Sequence, residues 1–329
     1  MSGFSFNVLD EPWIPVETSD GEFKPLGLRD VIYDAHKLRG ILGYSPLLSY
    51  GMHRILIAFL IDAFLPSEEK DIRNLVKKGS FDKNTVEDYI KKCNSNGERF
   101  DLFNVNKPFL QTAFKDEEKI KPDYITKLFE DIPSGNSHIH FNHTLEDTHF
   151  FSPAECIQAL CSQGAYAINF GRSAHFGINK HPPIYFLYSG ENLFQTLTLS
   201  MVNVSDYSDF PDTPLVAWRE ETDVKEDVEM RTISLLHGLV SMPRRIQFIP
   251  ENLNDKVIIK RMWYSKGYNY KNLANWKDPH VVYFYDSKKE LKILRARESR
   301  AVWRDLGTIL SENAQLNPLK NIREKLQYR

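Results

Sequence analysis

The chain has 329 residues, 42% of them hydrophobic and 26% charged, with a formal net charge of -2. That balance suits a soluble globular protein with a substantial core and excludes a disordered chain. Its three cysteines, Cys93, Cys156 and Cys161, form neither an even disulfide framework nor a Cys-x-x-Cys pair, so free thiols and a cytoplasmic location are expected. No basic segment followed by an apolar run opens the sequence, and a secretory signal is not expected.

In chain order, a short strand is predicted near residues 5 to 9, followed by Pro12-Trp13-Ile14-Pro15. The two prolines each remove a backbone donor, which confines the segment to a sheet edge or end, while Trp13 and Ile14 anchor it in a core. Helices are predicted at about 28 to 38, 46 to 65 and 84 to 95. The second begins with Ser45-Pro46, an N-cap followed by proline at the first helical position, and its apolar stretch carries His53, Arg54 and Asp62. Those polar residues mark a core helix, not a membrane span. Ser152-Pro153-Ala154-Glu155 is a capping box opening a helix whose apolar stripe runs to Asn169. A strand at 184 to 188 and a helix at 193 to 202 follow. The last third reads as strands near 244 to 249, 256 to 262, 281 to 285 and 290 to 295, then a helix after Ser299. The pattern is α+β: one large mixed domain of short, mostly antiparallel strands and several helices, without internal repeats.

Charge is unevenly distributed. Residues 241 to 300 hold fourteen Lys and Arg against six Asp and Glu, a surplus of +8 that leaves -10 for the remainder, part of it in the acidic run Asp206 to Glu229. Trp263, Tyr264, Tyr268, Tyr270, Trp276, Tyr283, Phe284 and Tyr285 are interleaved with the cations. Cations hold phosphates and aromatics stack on bases, so this composition fits a nucleic-acid surface. It equally fits half-buried strands with solvated outer faces. Arg244, Arg245, Lys256, Lys260 and Arg261 are the candidate phosphate contacts.

After the capped helix comes Asn169-Phe170-Gly171-Arg172-Ser173-Ala174-His175-Phe176-Gly177. Its glycines permit close approach to another chain, and Arg172 adds a guanidinium. It lacks the context of a dinucleotide fingerprint and the Lys-Ser of a P-loop.

These segments together carry a resemblance. The opening string from Phe6 to Val16, Asn106-Lys107-Pro108-Phe109-Leu110-Gln111-Thr112, His140-Phe141-Asn142-His143, the Ser-Pro-Ala-Glu helix with its loop, Trp276-Lys277-Asp278-Pro279-His280 and Trp303 occur in the order seen in the CasA family. Its members are the large subunits of type I-E CRISPR Cascade complexes. The whole 1–329 stretch resembles that family's N-terminal domain. The resemblance implies a non-enzymatic subunit without cofactor or metal, partnered with CRISPR RNA, sister Cascade subunits, double-stranded target DNA and a recruited helicase-nuclease. It implies that Asn169, Phe170, Gly171 and Arg172 face the protospacer-adjacent motif, and that Lys266 matches the family's lysine finger in the minor groove. Phe141 and Asn142 would lie at the guide end or flank the motif. This sequence departs from the family in placing Arg172 where a further glycine is usual. No cysteine lies beyond Cys161 for a zinc ribbon, and the chain stops before the glutamine wedge and four-helix bundle.

Two rival readings remain. His138, His140, His143 and His149, with Glu146 or Asp147, offer ligands for a divalent metal and hence a metal-dependent phosphoesterase or nuclease, although their spacing fits no standard ligand motif. The acidic run keeps open a subunit that only scaffolds other proteins.

Overall fold

The computed structural model describes residues 3–94, 98–115, 121–129, 132, 149–167, 175–205, 216–220, 223–273 and 276–310. The first sheet consists of β1 (Ile14–Thr18), β2 (Phe23–Leu26) and β3 (Leu38–Ile41), with antiparallel β1 in the middle. The strand expected at 5 to 9 is not formed: Asn7 makes only an isolated bridge to Asp101, and regular pairing begins at Ile14. The proline argument holds in a different place. Pro15 sits at the end of β1 opposite Pro25, before the ladder to β3 starts at Val16, so its missing N–H breaks no central hydrogen bond. Trp13 is fully buried and donates from Nε1 to the Val8 carbonyl at 2.8 Å.

The helix expected at 28 to 38 is shorter, because α1 (Leu28–Tyr33) gives way to a 3-10 turn at Ala35–Lys37 and then to β3. The core is organised around α2 (Pro46–Phe64), capped by the Ser45 hydroxyl on the Leu47 N–H. Among the described residues α2 is the one helix long and apolar enough to cross a membrane, and 78% of that window is buried inside the protein. It packs closely on α5 (Pro153–Tyr166), where Gly51 is required: a Cβ there would fall 2.8 Å from the Cys161–Ser162 backbone. Between them in sequence lie α3 (Glu69–Lys78) and α4 (Lys83–Cys93). The sequence reading missed α3, a polar helix burying only Ile72 and Leu75, whose Asp71 carboxylate accepts from the N–H groups of Ser67 and Glu68 at 2.9 and 3.1 Å.

The second sheet has the order β4 (Asp123–Tyr124), β6 (Lys256–Lys266), β5 (Arg244–Leu253), all antiparallel. Strands β5 and β6 form a long hairpin closed by Asn254 and Asp255, both at positive φ (49° and 61°), as a two-residue turn of the type I′ kind requires. Both strands outrun their predicted ends. Pro250 lies within β5, where the register shifts at a bulge between Ile249 and Pro250. Alternation along the hairpin buries Ile246, Phe248 and Met262 against the core and leaves Gln247, Ile249, Arg261 and Trp263 half-buried on the outer face.

The remaining elements are α6 (Leu193–Ser200), α7 (Leu235–Leu239), the pair β7 (Tyr283–Tyr285) and β8 (Leu291–Ile293), and α8 (Leu306–Leu310) behind a 3-10 turn at Val302–Asp305. Residues 184 to 188 do not form the expected strand. Ile184 and Phe186 donate to different partners, Leu294 and His280, so no ladder develops. The architecture is a mixed α+β fold, and its main core runs continuously from Val8 to Met262.

Candidate nucleic-acid interface

Helix α5 ends at Tyr166, and the chain returns to it at once. The Gly177 N–H donates to the Ala167 carbonyl at 2.7 Å, which brings those two residues together at the end of α5. Of the predicted motif-facing residues, Asn169, Phe170, Gly171 and Arg172 lie outside the described residues, as do Phe141 and Asn142. His175, the first described residue after that segment, is held from two sides, by Arg244 at the base of the hairpin and by Asp227 outside it. The guanidinium of Arg244 donates to the His175 carbonyl, and His175 Nε2 lies 2.8 Å from Asp227 Oδ1. The other oxygen of that carboxylate accepts from Lys266 Nζ at 3.2 Å.

Asp227 therefore bridges the exit of the glycine segment and the last residue of β6. The hydrogen bond from Lys266 holds the Asp227 carboxyl below its ordinary value, with burial opposing and His175 assisting. Burial pushes the His175 imidazole down, which Asp227 only partly offsets. Gly267, immediately after the lysine, lets the chain turn against Met242 and Arg244, where a Cβ would meet the Met242 carbonyl at 2.4 Å.

The other predicted cations do not form one patch. Arg244 and Arg245 are 3% and 4% exposed. Arg244 donates to the Tyr264 hydroxyl at 2.6 Å and the Pro243 carbonyl at 3.1 Å, and Arg245 lies over the Phe114 ring at 4.5 Å. Both are committed to holding the base of the hairpin instead of offering charge to solvent. Lys256 is exposed at the far end of β6, ten residues from Lys266 and hence about 33 Å away. Between them Lys260 lies 3.9 Å from Glu251, and Arg261 stands over the Tyr124 ring at 5.2 Å.

The Trp276 to His280 step turns inward from Asp278, leaving Lys277 exposed. Asp278 and His280 are buried, and the Asp278 carboxylate takes both ends of the Arg54 guanidinium at 3.1 and 2.8 Å. Burial alone would raise this carboxyl, but the guanidinium outweighs it and holds it below the usual range. Asn179, two residues past Gly177, donates to the same carboxylate at 2.7 Å and accepts from Trp276 Nε1 at 2.9 Å. Sequence reasoning missed Asp227, Asn179 and the role of Asp278. Arg54 in an apolar helix was a readable signal that a buried carboxylate had to exist elsewhere. Of the histidine cluster only His149 is described, and among the described residues no group of three or more His, Cys, Asp or Glu is arranged to hold a metal ion.

A family model described as CRISPR-associated protein Cse1 matches residues 7–327. The chain belongs to the Cse1 family. It is 30% identical over 340 residues to CRISPR-associated protein CasA/Cse1 of Thermus thermophilus, covering 98% of this chain and 64% of that protein. Its fold matches a structure of Thermus thermophilus CasA (Cse1) with a TM-score of 0.78 at 25% identity, over 97% of this chain and 67% of the other. The crystal structure of Cse1 from Acidimicrobium ferrooxidans shares the fold at 22% identity and a TM-score of 0.78, covering 99% and 65%. A chain of a CRISPR RNA-guided surveillance complex does so at 20% identity and 0.78, covering 96% and 68%. This Cse1-family chain thus spans somewhat under two thirds of the length of its Thermus relative.

Proposed function

We propose that this chain is a non-catalytic subunit of a CRISPR RNA-guided surveillance complex that tests double-stranded DNA for the protospacer-adjacent motif from the minor groove. It then admits the target to pairing with the guide. Membership of the Cse1 family supports the setting, as does a fold shared with a chain of such a surveillance complex. The observation that carries the reading is the Asp227 bridge, which ties Lys266 to His175 at the exit of the segment holding Asn169, Gly171 and Arg172. A lysine beside a glycine-containing segment suits the minor groove, where acceptors on pyrimidine O2 and purine N3 are available to a donor. Sister subunits would hold the CRISPR RNA guide, and a recruited helicase-nuclease would cut. Such cleavage elsewhere leaves this chain no reaction to catalyse.

The test is affinity of the assembled complex for duplexes with the correct and a scrambled motif, at fixed salt and with perfect guide match to both. Lys266→Ala and Arg172→Ala each cost the motif duplex about 1 to 3 kcal/mol, roughly 5- to 150-fold, and leave the scrambled duplex nearly unchanged. Equal losses on both duplexes reassign these residues to phosphate positioning. No loss on either refutes the site.

A further inference from the structure

The outer face of the β5–β6 hairpin contains a cavity of about 320 Å³ that the duplex-reading site does not use. Its walls are apolar and largely flat: Phe4, Phe103, Pro108, Pro250 and Trp263. Two amides line it, and the structure fixes which end of each is spent. Asn104 Oδ1 accepts from the N–H groups of Asn106 and Lys107, both at 2.9 Å, and Gln247 Oε1 accepts from the Phe114 N–H at 2.9 Å. What each amide has left to offer is its N–H donors. Trp263 is directly opposite Gln247 in the ladder, and Arg261 follows two residues along the same face, about 7 Å away. Arg261 is braced over Tyr124.

We infer that this cavity is a binding site for one unpaired base of a single-stranded nucleic acid, with Arg261 and Lys260 taking the adjoining phosphates. The volume is at the small end for ligand pockets and suits one ring system. Aromatic walls supply stacking, and donors without a lining carboxylate call for a flat ligand rich in acceptors. Thymine and uracil, with two ring carbonyls, fit best. An apolar protein side chain would fill the walls but leave both amides without an acceptor, which disfavours a protein anchor. The site is distinct from the proposed motif reader, because Trp263 and Lys266 project from opposite faces of β6.

The test titrates the full chain at fixed salt with a five-nucleotide oligo-dT, the same length of oligo-dA, and an abasic oligonucleotide of equal charge. Oligo-dT binds tightest and the abasic strand weakest. Trp263→Ala lowers oligo-dT affinity roughly tenfold and leaves the abasic strand unchanged, while Trp263→Phe retains most of the binding. Gln247→Glu keeps the bond to Phe114 and exchanges donors for an acceptor. It lowers the ratio of oligo-dT to abasic affinity several-fold, a comparison that cancels its added charge. Equal binding of abasic and base-bearing strands overturns the proposal in favour of charge alone. Failure of every oligonucleotide to bind, with Trp263→Ala instead blocking assembly with sister subunits, overturns it in favour of a protein partner.

Discussion

Replacing Asp278 by Asn tests the buried ion pair at the centre of the fold. The carboxylate takes two bonds from Arg54, one from Asn179 and one from the His280 N–H at 3.0 Å, and both charged side chains are at most 1% exposed. Arg54 keeps bonds to the carbonyls of Leu239 and Gly238 and to the Tyr50 hydroxyl at 2.8, 3.0 and 2.8 Å, so its hydrogen-bonding needs are partly met, but its charge is not. Leaving one partner of a buried pair uncompensated costs about 3 to 5 kcal/mol. The retained carbonyl contacts place Asp278→Asn near the lower end, about 3 kcal/mol. Arg54→Met with Asp278→Asn removes the stranded charge and is less destabilised than Asp278→Asn alone. The assay is the urea midpoint at pH 7.5. The exposed pair Lys37–Asp34 serves as control, where Asp34→Asn costs less than about 1 kcal/mol. A loss for Asp278→Asn no larger than for Asp34→Asn, or a double variant less stable than the single, refutes the reasoning.

Two further outcomes are expected. Burial holds the imidazoles of His53 and His175 below their ordinary 6.5, so below that pH the unfolded chain takes up protons that the folded one does not. The stability these groups contribute is complete above pH 6.5 and falls as pH drops through 6.5 toward their folded values, with Asp227 and Asp278 adding a second fall below about pH 3.8. A urea midpoint that stays flat between pH 7.5 and 5.5 contradicts this. In the assembled complex, Lys260→Gln and Arg261→Gln each lower the magnitude of the salt slope of DNA binding by about one unit. Arg244→Gln leaves that slope alone and instead lowers thermal stability, because it removes a buried charged donor from Tyr264 and Pro243. A slope change for Arg244→Gln equal to that for Lys260→Gln shows that the buried assignment does not describe the binding complex.

How much of this was legible in the sequence depended on whether the signal was local. Ser45-Pro46 and Ser152-Pro153-Ala154-Glu155 located α2 and α5 because capping is chemistry within a few residues. Strands were expected at 244 to 249 and 256 to 262, but not their pairing into one hairpin or its length, since a register shift between Ile249 and Pro250 carries β5 past the proline. Residues 184 to 188 have strand composition without a continuous partner, which only tertiary structure reveals. The same limit explains the site. Lys266 came through the family resemblance and the glycine segment from its own composition, whereas Asp227, whose carboxylate meets both Lys266 and His175, sits in the acidic run that pointed to protein scaffolding. Arg244 and Arg245 were misread because adjacent arginines at a strand start look like a surface pair, and nothing local announces that Tyr264 and Phe114 cover them.

The hydrogen bond between Gly177 and Ala167 bears on more than stability. Because the Gly177 N–H and the Ala167 carbonyl meet at the end of α5, both anchors of the intervening sequence are fixed by the fold. Doubling the number of residues between fixed anchors costs only about 0.6 kcal/mol of closure entropy. Changes in the length of that sequence are therefore expected to leave the buried network of Asn179, Asp278 and Arg54 intact.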